Sequence, residues 1–181
     1  MQLETDRFLI RSLSEKDVSE QYLRWLQDEE VIRYLAARNR KNTRSEIIRY
    51  VNKHDDTSSF HLGIFHKQTK SHIGNFSVYY DSVHKTAQIN VMIGEKEWWG
   101  KGTVLEARTA VMDFIFDNLG AYKVWATPFA RNFAAVHNYL RQGFKKEGVF
   151  KEHKKINSDD RGDIIQFAMF CSDWKSNLNE T

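Results

Sequence analysis

The stretch from Ile89 to Ala107 constrains the fold most, because a strand, a glycine-bearing loop and the start of a helix follow one another there. It reads INVMIGEKEWWGKGTVLEA, and Gly100 and Gly102 stand just before the helical part. A helix N-terminus offers unpaired backbone N–H groups and the positive end of the helix dipole. Glycines let a ligand approach the backbone closely. We therefore predict that this junction binds the pyrophosphate of a cofactor.

Taken alone, the Gly100–Gly102 pair is more typical of a tight strand-to-helix turn without a ligand. A P-loop requires GxxxxGK followed by Ser or Thr, which this loop lacks. A dinucleotide-binding fold requires GxGxxG early in a βαβ unit, but the third glycine is missing and the preceding strands look antiparallel. Both nucleotide-binding alternatives are therefore disfavoured, and only a second motif can make the loop specific.

The rest of the chain predicts a mixed α/β layer fold. Arg7–Leu13 reads as a first strand, followed by two helical segments and then three strands whose short polar connections favour antiparallel hairpins. A helix follows Gly102, then a strand near Tyr122, a helix over Asn132–Gln142 and two last strands. The order β-α-α-β-β-β-α-β-α-β-β shows no internal repeat, so we expect a single domain over residues 1–181.

Composition narrows the class of protein. The chain has 181 residues, 41% hydrophobic and 13% aromatic, with one proline, which is typical of an ordered globular protein. Cys171 is the single cysteine, which excludes an intramolecular disulfide and a Cys-rich zinc site and suits a reducing cytoplasm. We expect neither a signal peptide nor a membrane span. A net charge of +3 permits an anionic ligand without requiring nucleic acid.

A second motif begins at Asn132 and reads NFAAVHNYLRQGF as far as Phe144. Its Asn132, Ala135 and Tyr139 share one helix face. This pattern, N-x-x-A-x-x-x-Y-x-x-x-G-F, resembles the GNAT superfamily of N-acetyltransferases. The loop before it resembles that superfamily's acetyl-CoA motif, Gln/Arg-x-x-Gly-x-Gly/Ala, and is most similar to the branch of ribosomal-protein N-terminal acetyltransferases. The element order is similar over essentially the whole chain.

The resemblance implies a fold and a reaction. The fold would be a mixed, mostly antiparallel central sheet of about seven strands, flanked by about four helices, with one splayed strand pair. The protein would be an enzyme that moves the acetyl group of acetyl-CoA directly to a primary amine in a ternary complex, without a metal. The acceptor would be a protein N-terminus or a small-molecule amine such as a nucleotide-linked amino sugar.

The resemblance also implies roles for single residues. Backbone groups of Met92 and Ile93 would pair with the pantetheine arm, in a gap beside the strand after Tyr122, and would polarise the thioester carbonyl. Asn132 would hydrogen-bond the pantetheine, and Tyr139 would protonate the departing thiolate. Backbone N–H groups of the loop would hold the pyrophosphate. The loop residues expected to bind the cofactor are Trp99, Gly100, Lys101, Gly102, Thr103 and Val104.

The residue types agree with this chemistry in part. An amine with a pKa near 10 must lose a proton before it attacks, and Tyr, with a reference pKa of about 10, can protonate a thiolate of reference pKa about 8.5. Periodicity alone favours a packing role for Tyr139, and the resemblance reverses that preference. Relatives often carry Glu where this chain has Gln88, which cannot accept the proton. His72, His84, His137 and a water chain therefore stay open as the base.

Two departures from the family motif lie in the loop. Trp99 replaces Gln or Arg and so removes a polar side chain, and Val104 replaces Gly or Ala where the ligand approaches closely. Together with Gln88, these departures leave open a catalytically silent module that binds CoA without turning it over.

The basic segment Lys145–Lys155 bears on the partners of the protein. It is most simply a solvated hairpin, and alternatively a rim that attracts a phosphate-bearing or acidic acceptor. The balanced overall charge disfavours an RNA-binding role. We expect acetyl-CoA and an amine acceptor as partners, with no nucleic acid and no membrane, and the sequence leaves a homodimer open.

Overall fold

Eight strands and six α-helices lie in the part of the chain that a computed structural model describes, residues 1–35, 38, 42–157 and 160–179. The strands are β1 (Gln2–Glu4), β2 (Phe8–Ser12), β3 (Ser59–His66), β4 (His72–Asp81), β5 (Thr86–Ile93), β6 (Lys123–Ala126), β7 (Lys145–Lys155) and β8 (Arg161–Phe170). The α-helices are α1 (Glu20–Trp25), α2 (Glu29–Ile32), α3 (Arg44–Asn52), α4 (Thr103–Asp113), α5 (Phe133–Arg141) and α6 (Cys171–Asn179). A π-helical turn, Phe114–Asn118, continues α4.

The chain groups into two compact units, and the first comprises Met1–Tyr79 and Asn90–Val111. In this unit β1, β2, β3 and β4 pair in that order, each antiparallel to the next, and β5 lies beside β4. Alternate residues of these strands form a fully buried layer, because side chains of a strand point to opposite faces in turn. This layer includes Phe8, Ile10, Phe60, Leu62, Ile64, Phe76 and Val78.

A second apolar layer in this unit involves the helices α1, α2 and α3. Leu13, Tyr22 and Trp25 belong to its buried cluster, and Phe65 of β3 and Met92 of β5 pack against it. The helices begin where local hydrogen bonds satisfy their first N–H groups. The sequence Thr43-Arg44-Ser45-Glu46 has the pattern of a capping box and predicts a helix start there, which is confirmed at the start of α3. At the start of α1, Ser19 accepts from the N–H of Tyr22.

The second unit comprises Tyr80–Ile89 and Met112–Thr181. Its strand order is β5, β6, β8, β7, in which β6 and β7 each pair antiparallel with β8. The pair of β5 and β6 is parallel and covers only Thr86–Gln88 and Lys123–Trp125. The strand β5 itself continues past this register to Ile93.

The predicted α/β class and mostly antiparallel sheet are confirmed, with eight strands where about seven were expected and six α-helices where about four were expected. The strand Gln2–Glu4 was not predicted, because three residues are too few to show a period. The helix Cys171–Asn179 was also missed. No helix in the described ranges is long and apolar enough to cross a membrane.

Replacing Gly94 with alanine should destabilise the fold. A Cβ atom at this position would lie 1.9 Å from Cδ2 of the buried Trp25 indole. Overpacking of this kind typically lowers the free energy of unfolding by about 1–3 kcal/mol. Urea denaturation of Gly94→Ala measures this loss of stability. Gly148→Ala is the control, because a Cβ at Gly148 would meet no atom within 4 Å. Equal stability of the two variants would contradict this packing.

Candidate functional site

The loop between β5 and α4 carries five consecutive backbone N–H groups that find no hydrogen-bond acceptor in the described part of the chain, those of Gly100–Val104. Gly100 and Gly102 have φ angles of +73° and +72°, which glycine adopts without strain. A Cβ at Gly100 would meet no atom within 4 Å, so the surface of the loop is open there. Since α4 starts at Thr103, the loop has the donors and the dipole that an anion requires.

Two side chains of this segment stabilise the loop from within. The indole Nε1–H of Trp99 donates to the carbonyl of Ile93 at 2.9 Å, and the buried Thr103 hydroxyl donates to the carbonyl of Trp98 at 3.1 Å. The Trp99 ring remains 39% exposed. Trp99 stands where the family motif has the polar side chain of Gln or Arg, and it still makes a polar contact through its indole N–H. The side chain of Val104, the second departure, is half-buried.

Arg7, which no sequence motif singled out, also contacts the loop. Its Nη2 donates to the carbonyl of Lys101 at 3.0 Å, and its Nε donates to the Glu106 carboxylate at 2.6 Å. Glu106 further accepts from the Thr5 hydroxyl at 2.6 Å and from the backbone N–H of Arg7 at 2.9 Å. Burial raises the pKa of Glu106, but these hydrogen bonds outweigh burial and leave the pKa below its usual value.

The backbone of β5 presents its polar groups alternately to its two edges. A Cβ at Gly74 would lie 2.4 Å from the carbonyl oxygen of Met92, which shows that this carbonyl faces β4. The backbone groups of Val91 and Ile93 therefore face the opposite edge of β5. This geometry favours the backbone groups of Val91 and Ile93 as partners for an extended ligand along that edge. The carbonyl of Met92 points instead toward β4.

The predicted residues of the second unit lie on or next to α5. Asn132 is the N-cap residue, and its Oδ1 accepts from the N–H of Ala135 at 3.2 Å, so its Nδ2 group is left to donate elsewhere. Tyr139 is 4% exposed. Its ring stacks on Phe167 at a centroid distance of 5.5 Å and meets the edge of Phe144 at 5.1 Å. The roles of Asn132 and Tyr139 in binding and catalysis stay predictions.

The residues considered as the base lie in different surroundings. His72 is buried, and its Nε2 contacts two acceptors, the carbonyl of Gly74 at 3.1 Å and Oδ1 of Asn75 at 2.6 Å, so that nitrogen carries the proton. Burial lowers the pKa of His72. His84 and His137 are exposed. No group of three or more His, Cys, Asp or Glu side chains is arranged to hold a metal ion within the described ranges.

A chain of buried hydrogen bonds in the first unit was not predicted. The Tyr22 hydroxyl contacts His61 Nε2 at 3.0 Å, and His61 Nδ1 contacts the Ser77 hydroxyl at 3.0 Å. The Tyr50 hydroxyl lies 3.2 Å from that of Ser77 and 3.1 Å from that of Tyr79. Sequence alternation places the His61 side chain on the face of β3 opposite its apolar neighbours and so suggests exposure to solvent. In the structure, Tyr22 of α1 and Ser77 of β4 hydrogen-bond to His61, and the ring of Tyr50 in α3 contacts it.

Comparison with known proteins gives one consistent result. A family model described as an acetyltransferase (GNAT) domain matches residues 7–145. The uncharacterized N-acetyltransferase YoaA of Bacillus subtilis is 28% identical over 159 residues, which are 86% of this chain and 89% of that protein. The ribosomal protein uS5-alanine N-acetyltransferase of Escherichia coli is 29% identical over 123 residues, which are 67% of this chain and 62% of that protein.

Solved structures agree in fold. A spermidine N-acetyltransferase from Vibrio cholerae, determined with CoA and spermine, has a TM-score of 0.82 at 22% identity and covers 93% of this chain and 98% of that chain. A ribosomal-protein-S5-alanine acetyltransferase from Vibrio fischeri has a TM-score of 0.82 at 18% identity and covers 96% of this chain and 98% of that chain.

Acidification should destabilise the protein through His61. Burial, together with the nearby His54 and His72, lowers its pKa from the ordinary 6.5 to about 3. Between these values the unfolded chain binds a proton that the folded protein excludes. The contribution of His61 to the free energy of unfolding is therefore fully present above pH 6.5. Below pH 6.5 this contribution falls by up to about 1.4 kcal/mol per pH unit.

Urea denaturation between pH 7.5 and 4.5, in steps of roughly half a unit, measures this slope. His61→Asn should reduce the slope by up to about 1.4 kcal/mol per pH unit, because the variant lacks this titrating ring, while His72, whose pKa is also lowered by burial, still contributes. His84→Asn, at an exposed turn position, should keep the slope of the parent protein. An unchanged slope in His61→Asn would refute the assignment.

Proposed function

Because the chain belongs to the GNAT acetyltransferase family, we propose that it transfers the acetyl group of acetyl-CoA to a primary amine. The observation that supports this most directly is the row of unpartnered N–H groups over Gly100–Val104, at the start of a long helix and at the position of the acetyl-CoA motif. The sequence relatives are named as N-acetyltransferases, which agrees with an acetyl-CoA-dependent acyltransferase.

The residues of the first unit fit the cofactor in two ways. The N–H groups of Gly100–Val104, including those of Lys101 and Thr103, would donate to the pyrophosphate oxygens, since these groups meet no acceptor among the described residues. The backbone groups of Val91 and Ile93 would pair with the pantetheine arm, because they face the edge of β5 away from β4. Asn132 of the second unit would donate its Nδ2 to the pantetheine.

Direct transfer then requires few groups of the protein. Acetyl-CoA supplies the thioester. The deprotonated amine attacks its carbonyl carbon, a C–N bond forms and the C–S bond breaks. A backbone N–H of β5 would stabilise the oxyanion, and Tyr139 would give its hydroxyl proton to the departing thiolate. The proton released by the amine restores Tyr139 through solvent, so the protein is unchanged at the end of the cycle.

For the acceptor, we propose first a protein N-terminus and second a small-molecule amine such as a nucleotide-linked amino sugar. The Escherichia coli relative, which acts on a ribosomal-protein alanine by its name, supports the first class. The spermidine enzyme is similar in fold at 22% identity and carries no argument about the acceptor. In the basic hairpin, Lys145 pairs with Asp173 at 2.9 Å and Lys151 with Asp163 at 2.8 Å, which reduces the positive charge that it offers to a phosphate-bearing acceptor.

Release of free thiol from acetyl-CoA should depend on an added amine. The assay uses a panel of peptides with different N-terminal residues, amino sugars and polyamines, and mass spectrometry locates the added acetyl group. We expect turnover with at least one peptide. Tight binding of CoA without turnover of any amine would instead favour the catalytically silent module.

Tyr139→Phe should lower kcat about 10-fold or more and leave the affinity for acetyl-CoA nearly unchanged, because only the acid is lost while the packing ring stays. Steady-state kinetics with the best amine, together with calorimetric titration of CoA, measures both quantities. Tyr122→Phe is the matched control, since Tyr122 is 64% exposed. An unaltered kcat in Tyr139→Phe would remove the proposed acid.

A further inference from the structure

We infer that Arg7 and Trp99 are positioning residues, which hold the loop Gly100–Val104 in the conformation that binds the cofactor pyrophosphate. Arg7 donates to the backbone carbonyl of Lys101 and pairs with the Glu106 carboxylate, and Trp99 donates to the backbone carbonyl of Ile93. The inference rests on the proposed function and assigns it two further residues with a defined role.

The loop needs external support because its own backbone provides little. Its two glycines, Gly100 and Gly102, sample a wide range of conformations in the absence of tethers. Around the loop, the N–H of Trp99 bonds to the carbonyl of Lys96 and the N–H of Glu106 to that of Gly102, whereas the N–H groups of Gly100–Val104 meet no acceptor in the described part of the chain and are left for a ligand. A binding site built from such groups gains affinity when the free loop already has the bound geometry.

Trp99 tethers the beginning of the loop to the end of β5. Its indole N–H reaches the carbonyl of Ile93 at 2.9 Å, across the turn Lys96–Trp98. The ring is too exposed for burial alone to fix it, so the hydrogen bond sets its position. Because a carbonyl oxygen has two lone pairs, this bond leaves Ile93 able to accept from a second donor. The contact joins the strand edge proposed for pantetheine to the loop proposed for pyrophosphate.

Arg7 tethers the middle of the loop. One guanidinium group bonds at once to the carbonyl of Lys101 and to the carboxylate of Glu106 in α4, a geometry that its planar fork permits and a lysine ammonium does not reproduce. The guanidinium carbon also lies 4.9 Å from the centre of the Phe8 ring. Glu106 balances the charge of Arg7, so we assign to Arg7 the placement of the loop rather than attraction of the phosphate.

The test compares pairs of variants that lose the same kind of interaction at different places. Trp99→Phe loses the indole donor at the loop, and Trp174→Phe loses a similar donor, which bonds to Asp113 at 2.8 Å. Arg7→Gln loses an ion pair at the loop, and Arg11→Gln loses the comparable pair with Asp17. All four should fold, which unfolding midpoints and circular dichroism verify.

Calorimetric titration with CoA at fixed ionic strength gives the decisive numbers. We expect the dissociation constant to rise about 5-fold in Trp99→Phe and Arg7→Gln, the effect of one lost hydrogen bond of about 1 kcal/mol, and to stay within about 2-fold in the two controls. Trp99→Gln, which restores a donor, should recover part of the affinity, and Arg7→Lys should not. In turnover, the KM for acetyl-CoA should change more than kcat.

The outcomes separate the inference from the proposed function. If the parent protein binds CoA and the loop variants bind it equally well, the inference is overturned and the proposed function stands. Equal losses in the loop variants and in their controls would also overturn it, because they would show a general effect on stability. If the parent protein does not bind CoA at all, the proposed function and the inference both fail.

Discussion

The turn that ends β5 depends on one backbone carbonyl, that of Ile73, which accepts from the N–H groups of both Gly94 and Glu95 at 2.9 and 3.2 Å. The indole of Trp25 occupies the place where a side chain at position 94 would stand, so only glycine allows this approach. The Glu95 carboxylate then accepts from the Trp25 indole and from Gln21, each at 2.7 Å. The strand therefore leaves the sheet at a fixed point and in a fixed direction, which also fixes where the loop proposed to bind pyrophosphate begins.

Sequence reasoning succeeded where the cause of a structure is local. The capping box at Thr43 and the strand–loop–helix around Gly100–Gly102 depend on residues a few positions apart, and both were predicted. The bond from Arg7 to Glu106 joins residues 99 positions apart, and no local pattern signals it. The same holds for His61, whose hydrogen-bond partners come from the helix α1 and the neighbouring strand β4.

The backbone direction of β5 shows a finer limit of sequence reasoning. The family resemblance placed the pantetheine contacts at Met92 and Ile93 as neighbours, whereas alternation along a strand sends the backbone groups of neighbours to opposite edges. The register between β4 and β5 decides which of the two residues directs its backbone groups away from β4. The 2.4 Å between a Cβ built at Gly74 and the Met92 carbonyl oxygen indicates that the Met92 carbonyl faces β4. A motif can thus indicate a candidate strand, whereas the edge to which the backbone groups of each residue point depends on how that strand pairs with its neighbour.

The pyrophosphate binding proposed for the loop relies on backbone donors, so the two unusual residues of the loop are compatible with it. Neither Trp99 nor Val104 alters a backbone N–H group, and the five unpartnered N–H groups and the helix dipole do not depend on side-chain charge. The side chain of Arg7 is already neutralised by Glu106. A site whose donors belong to the backbone tolerates varied side chains, provided that some of them keep the loop in place. Trp99 is one such side chain, so the departure from the motif changes how the loop is supported and leaves its donors intact.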